Sequence, residues 1–451
     1  MLRRIVYEGS KDTFEEASRS LEALCDLEIS SEQVRRITER IGAERVTERD
    51  AEVKQYEELP LVQKESSPRA QIPRVVALGL DGGRYQRIDE SDEENPGKAP
   101  AQTPEPSERN DGEGDNAASD AEEATRSGHW REFKAGCLLT LSSEVHVDDP
   151  CPKVPEVFLQ PKRVSRLAAE IHKQRKADKA GRFGDGASAS SEIALDVPNE
   201  SSSVEDALND SEQKKPAKSR RRPGAPVVLV RSVLASRQSN DKFGLMMAAA
   251  AWRRGFSAAS RKAFLGDGAS GNWSVWRWYF PRYTPILDFI HLLSYLYAAA
   301  MAGRSFAVGW LTHKEWIQHA WSGKVKELLD GLNARQAEVG NPQNGDPETH
   351  PRRVVADAVR YVSNNQSRMH YDEYRRQGLP LTTCHVESTV KQINQRVKGT
   401  EKFWSSEGGE SILQLRGDHL SDTDPMTAFW NRRERQMSGF RSYRRSDRCA
   451  A

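Results

Sequence analysis

The sequence predicts an α/β core interrupted by long surface insertions, and three observations carry that expectation. Apolar, strand-like runs at 75–80 (VVALGL) and 262–266 (KAFLG) each lead into an Asp-Gly pair. Beyond them, to about residue 420, helical periodicity dominates. Two polar stretches, 89–128 and about 173–223, are rich in Pro, Glu, Asp, Ser and Lys and read as disordered insertions. A core accepts such insertions because loop entropy grows slowly with length.

A small helical unit, 1–60, comes first. Phe14, Ala17, Leu21 and Leu24 recur at helical spacing, and 26–29 form a break. Ser30 and Gln33 then form a capping box that opens a second helix, with Val34, Ile37 and Ile41 on one face. Two short helices across a four-residue turn, the second carrying Arg35, Arg36 and Arg40, fit a DNA-binding helix-turn-helix or a generic helical hairpin. The chain opens directly on this unit, as a shortened copy of a longer protein would.

The core follows, expected over 72–421. The strand 75–80 ends at Asp81-Gly82-Gly83, and 85–88 continue as the second arm of a hairpin. A strand is expected from Trp130 (WREFKAGCLLTLSSEV), a helix over 243–253 and a strand over 262–265. A helical insertion fills about 303–377, and 422–451 read as a basic tail.

Of the 451 residues 37% are hydrophobic and 29% charged, and the formal net charge is +1. That balance hides a segregation: 89–123 is acidic, whereas 214–222 (KKPAKSRRR) and 432–448 are basic. Basic segments beside a core suit a polyanion or are solvated surface. Five scattered cysteines without a CxxC pair argue against a disulfide framework and a zinc site. The first residues carry no apolar signal run, and the most apolar window, 286–302, contains Asp288 and His291. No membrane association is expected, and the location is expected to be cytoplasmic.

Three carboxylates stand out. Asp81 and Asp267 each follow an apolar run and precede glycine, where an enzyme can hold a rigid ligand; aspartates that merely cap turns occur there too. The pentapeptide GDGAS occurs twice, at 184–188 and 266–270, but only the second follows a strand, so Asp185 is set aside. Glu387 lies in the first turn of a helix that Thr382 and Thr383 can cap, beside a stripe of Val386, Val390, Ile393 and Val397. Lys391, Arg396, Lys398 and Lys402 follow and are expected to hold DNA phosphates. Three carboxylates without a Cys or His cluster suit Mg²⁺ or Mn²⁺. Asp288 and His291, three residues apart on an expected helix, are a core pair or a functional one. Trp273, Trp276 and Trp278 suit core packing, with base stacking left open by Arg277 and Arg282.

These residues resemble a known family. The block LGDGASGNWSVWRWYFPRYTPILDFIHLLSYL is similar to the segment around the second catalytic aspartate of bacterial insertion-sequence transposases of the Kra type, relatives of Mutator-like transposases. LDGGRYQ resembles their first-aspartate block and HWREFKAG the strand after it. GLPLTTCHVESTVKQINQRVKGTEKFW resembles the block with the family glutamate. The similarity covers about 72–88, 129–145, 223–302 and 378–421. It implies an RNase H-like fold with a mixed-sheet catalytic core, in which Asp81, Asp267 and Glu387 form a DDE triad holding two Mg²⁺ or Mn²⁺ ions, supported by Asp288 and His291. It also implies a nucleoid-associated enzyme acting, as a homo-oligomer, on double-stranded DNA of element ends and target. It would cleave at the ends and join the freed 3′-hydroxyl to target DNA. A nuclease of the same fold and an inactive DNA-binding remnant are the alternatives.

Overall fold

A computed structural model describes residues 1–69, 71–87, 130–180, 222–399 and 402–438. The run that starts at Val75 does not turn at its glycines. It forms one strand, β1 (Val75–Arg87), because β2 (Trp130–Ser142) pairs with it antiparallel along nearly its whole length, Asp81 opposite Ala135 and Gly83 opposite Phe133. The expected hairpin is therefore absent. Gly83 serves close approach instead: a Cβ there would lie 2.3 Å from the Phe133 ring.

Strand β3 (Val227–Ser236), which the sequence reading did not separate, pairs antiparallel with β2. On the other side of β1 lies β4 (Arg261–Gly266), parallel to it, and then β5 (Thr284–Leu287), parallel to β4 and also not anticipated. The order is β3-β2-β1-β4-β5, with β6 (Phe403–Trp404) pairing the far end of β1, giving a mixed six-stranded sheet among the described residues.

The amino-terminal helices are α1 (Leu2–Lys11), α2 (Phe14–Cys25), α3 (Ser31–Glu57) and the short α4 (Leu61–Glu65). The Ser30–Gln33 capping box is present. The second helix is not short: α3 runs 27 residues. Leu24, expected on the buried face, is 80% exposed. After β2 come α5 (Pro161–Ala180), α6 (Asn240–Arg253) and α7 (Ser270–Tyr279). The helices α8 (Phe289–Met301), α9 (Phe306–Trp321), α10 (Val325–Val339), α11 (Pro351–Asn365) and α12 (Tyr371–Arg376) follow β5, and the expected helical insertion spans the last four. The chain continues with α13 (Cys384–Val397), α14 (Ser406–His419) and α15 (Pro425–Ser438).

The sheet lies between helices. Val386 of α13 packs on Gly79 of β1, while Phe243 and Met247 of α6 pack on Gly136 of β2, whose side chains alternate between faces. On the α6 side, Tyr279 of α7 packs against Gly244.

Two expectations about polar segments change. Residues 89–128 lie outside the described residues, as do Asp185 and most of 173–223. The first residues of that second segment, however, belong to α5, which reaches Ala180. Val164, Leu167, Ala168 and Ile171 anchor that helix, and its Lys, Gln, Arg and Ala residues are good helix formers. The tail is not simply basic and free either. In α15, Met426, Phe429 and Trp430 are buried with Val6, Ile41 and Leu415, and Arg433 pairs with Glu44 at 2.7 Å.

Helix α3 is held on α14 by buried ion pairs. Arg45 Nε donates to Asp418 at 2.9 Å, and Arg49 Nη1 donates to Glu410 at 2.7 Å. Glu410 also accepts from Ser236 Oγ and the Arg237 amide. Removing one partner of such a pair strands a buried charge. Arg49→Ala should therefore lower unfolding free energy by about 3–5 kcal/mol in chemical denaturation. A loss under about 1 kcal/mol would mean that the pair behaves as an exposed one.

Candidate active site

Strand register brings the first two aspartates side by side. Gly79 of β1 is level with Leu265 of β4, so Asp81 and Asp267 lie two residues farther along adjacent parallel strands. Gly266 is level with Leu287 of β5, which sets Asp288 beside Asp267, and the Asp288 amide donates to Gly266 O at 2.8 Å. Neighbouring strands are about 4.8 Å apart, and side chains two apart share a face. Asp81, Asp267 and Asp288 thus form a row across three strands. Asp81 sits inside its strand, not at its end as expected; Asp267 does follow its strand directly.

Glu387 reaches the same row because Val386, Val390, Ile393 and Val397 are all buried, and this seats α13 against β1. Thr383 is the N-cap of α13, but its hydroxyl makes no backbone cap; it donates to Glu387 Oε1 at 2.6 Å. Asp81, Asp267, His291 and Glu387 line one cavity of about 600 Å³.

Each aspartate is fixed through one oxygen. Asp81 Oδ1 accepts from the Gly82 amide at 2.7 Å. Asp267 Oδ1 accepts from the Ala269 amide at 3.0 Å and from Asn272 Nδ2 at 2.8 Å. Asn272 also reaches Leu80 O at 3.2 Å and so ties Asp267 to the strand that carries Asp81. From the helical insertion, Tyr361 Oη donates to Asp267 O at 2.6 Å, with its ring stacked on Tyr295 at 3.8 Å. Gly268 adopts φ +100°, and a Cβ there would meet the Tyr361 ring at 2.5 Å, so this turn requires glycine. Sequence reasoning missed Asn272 and Tyr361. Asn272 lies within the block quoted for the family, but Tyr361 gives no local signal.

The Asp288–His291 pair is arranged differently from expectation. Asp288 is not inside a helix; it caps α8, accepting from the His291 amide at 2.7 Å and facing His291 Nδ1 at 2.8 Å. Its other oxygen accepts from the Thr383 amide at 2.7 Å, linking β5 to the start of α13. Asp288 is fully buried, and His291 Nδ1 lies 3.7 Å from Glu387 Oε1. Among the described residues, Asp288, His291 and Glu387 form a group that could hold a metal ion, with ligand atoms within 4.8 Å of one another.

The electrostatics point to unneutralised negative charge. Burial, then Asp267 and Glu387, push the Asp81 carboxyl up to about 8. Burial, with repulsion from Asp288, also raises Glu387, against the pull of His291. Burial alone would lower His291, but its hydrogen bond to Asp288 and the surrounding carboxylates raise it to about 10. Without a metal ion, the carboxylates around His291 favour its protonated form, in which the imidazole pairs with them.

The basic residues expected to hold DNA divide. Lys391 and Lys398 line the cavity; Lys391 pairs with Glu170 at 3.0 Å, and Lys398 lies over the Trp130 ring at 5.7 Å. Arg396 is no DNA contact. It is 2% exposed, donates to Gly9 O, and its guanidinium packs against both the Phe14 and Trp404 rings. It fastens the amino-terminal helices to α13. Lys402 is partly buried and donates to Gln395 O at 2.9 Å. Arg35 and Arg36 pair with Glu32 on the exposed face of α3, Arg35 also with Glu39, and Arg40 is exposed there.

The tryptophans divide as well: Trp273 is buried against Phe264, Trp276 donates to Tyr283 O, and Trp278 is 75% exposed. No helix among the described residues is long and apolar enough to cross a membrane. No family model matches the chain, and neither does any curated protein.

Proposed function

We propose that this chain is a DDE-type transposase with an RNase H-like core. It cleaves DNA at element ends and joins the freed 3′-hydroxyl to target DNA. The observation that supports this reading is the convergence of Asp81, Asp267 and Glu387, drawn from three distant segments, on one cavity with Lys391 and Lys398 at its side. The family resemblance names the same three residues. The sheet, antiparallel on one side of β1 and parallel on the other, with acids on β1 and after β4, agrees with the fold.

The residues present fit two Mg²⁺ or Mn²⁺ ions. The donors are hard oxygens, Asp81 and Asp267 each keep one oxygen uncommitted among the described contacts, and burial beside Asp267 and Glu387 disfavours the ionised form of Asp81 until a cation joins it. Ions bound there would activate the attacking oxygen and stabilise the leaving one. Asn272 and Tyr361 hold Asp267 in place, while Asp288 and His291 orient Glu387 through charge and the Thr383 turn. The reaction needs no covalent protein intermediate. Helices α2 and α3, with Arg35, Arg36 and Arg40, would recognise element ends, and protein copies would assemble on the two ends in the nucleoid.

The test is a strand-transfer assay on DNA flanking the gene, with Mg²⁺ or Mn²⁺. Joined products support a transposase; cleavage without joining indicates a nuclease, and binding alone an inactive remnant. Salt dependence adds a residue-level prediction. Lys398→Gln should weaken binding to all sequences and flatten the log–log salt slope by about one unit. Arg396→Gln should instead lower thermal stability, because it removes a buried group that donates to Gly9 O and packs on two aromatic rings. A flattened slope with unchanged stability in Arg396→Gln would reverse that assignment.

A further inference from the structure

The cations that line the cavity are not equivalent. Arg360 pairs with Asp357 at 2.5 Å and Lys391 with Glu170 at 3.0 Å, so each already has an acid. Arg368 also lines the cavity, from the turn after α11, and forms no ion pair among the described residues. Burial, then the like charge of Arg277, lowers its basicity, and no carboxylate acts to raise it. An uncompensated positive charge in the wall of a site favours an anionic ligand there.

The same side chain is firmly held. Its guanidinium rests on the Trp273 ring at 4.3 Å, and that buried ring packs on Gly266, the residue before Asp267. Arg368 Nη1 donates to Asn364 O at 3.0 Å and to Asn365 Oδ1 at 2.9 Å. Asn365 Nδ2 donates to Tyr361 O, and Tyr361 Oη donates to Asp267 O. The guanidinium is therefore tied to the Asp267 turn twice, through a ring and through α11. With Nη1 engaged, Nε and Nη2 have no partner among the described residues. Those two N–H groups form an edge with which an arginine takes two oxygens of one phosphate. Resting on the transposase reading, we propose that Arg368 grips a phosphate of the DNA strand being cut, beside the scissile one, and so sets which bond meets the carboxylates.

The test uses duplexes from the DNA flanking the gene, with the cut position mapped by the strand-transfer assay. Each phosphate on either side of the cut is replaced in turn by a neutral methylphosphonate, and binding is measured with Ca²⁺ in place of Mg²⁺. For wild type, one replacement should weaken binding by about ten-fold. Arg368→Gln should weaken binding of the unmodified duplex by a similar factor and lose nothing further at that one phosphate, while remaining sensitive at the others. Arg368→Lys keeps the charge without the two-pronged edge, so it should recover part of the affinity and remain sensitive to that phosphate. Losses that simply add at every position, in either variant, would overturn the grip, because a merely structural role for Arg368 singles out no phosphate. If the wild-type protein bound none of the duplexes, the transposase reading itself would fall, and the grip with it. If wild type joined strands normally while Arg368→Gln matched it on every duplex, only the grip would fall.

Discussion

Asp267→Asn is expected to abolish cleavage and joining while leaving DNA binding intact or tighter. The change removes a ligand oxygen's charge but keeps the shape of the side chain. The hydrogen bonds from Ala269 and Asn272 to Oδ1 can persist on the amide oxygen. Turnover in Mg²⁺ should fall on the order of 10³-fold or more, the scale seen when one member of a cooperating catalytic set is removed. Affinity should hold or rise, because one negative charge next to the DNA backbone disappears. Single-turnover cleavage measured beside equilibrium binding separates the two effects. Normal cleavage by Asp267→Asn would remove the central claim and favour a DNA-binding remnant.

The second large effect concerns Asp81 and pH. In the folded, metal-free protein its carboxyl is raised to about 8 from an ordinary value of 3.8. Between those two values the native state binds more protons than the unfolded state. Stability therefore falls as pH rises through that window and levels off above it. His291, raised to about 10, has the same sign between its ordinary 6.5 and that value, and Glu387 adds to the acid end of the window. Groups held below their usual range by arginines, such as Glu48 and Asp149, work in the opposite direction at low pH. The effect of Asp81 is isolated by difference. In EDTA, Asp81→Asn should melt progressively higher than wild type from pH 5 to pH 8. Added Mg²⁺ should stabilise only the wild type and release about one proton at pH 7, as a ligand must ionise to bind. A variant that tracks wild type at every pH, with no proton release, would mean that Asp81 faces no ion.

The sequence by itself determined the strands before Asp81 and Asp267, the Ser30–Gln33 cap and the helix that carries Glu387. Each follows from local periodicity or from end signals within a few residues, and such signals act before distant contacts form. It could not determine which partner an extended run would find. The hairpin expected at Gly82-Gly83 lost to β2, which satisfies the whole length of β1 and packs the Phe133 ring on Gly83. β5 is four residues long, too short for periodicity to reveal. Its parallel register with β4 is nevertheless what sets Asp288 beside Asp267.

The tertiary structure alone decided the fate of the charges. Arg396 and Lys398 stand two residues apart in one basic run, yet one is buried against Phe14 and Trp404 and the other lines the cavity. Arg396 is in the last turn of α13 and Lys398 is the extended residue that ends it, and only the arrival of α1 and α2 from the far end of the chain made the Arg396 side an interior. Tyr361 is the same lesson in reverse: nothing around it in sequence marks it, and it matters only because α11 folds back onto the Asp267 turn.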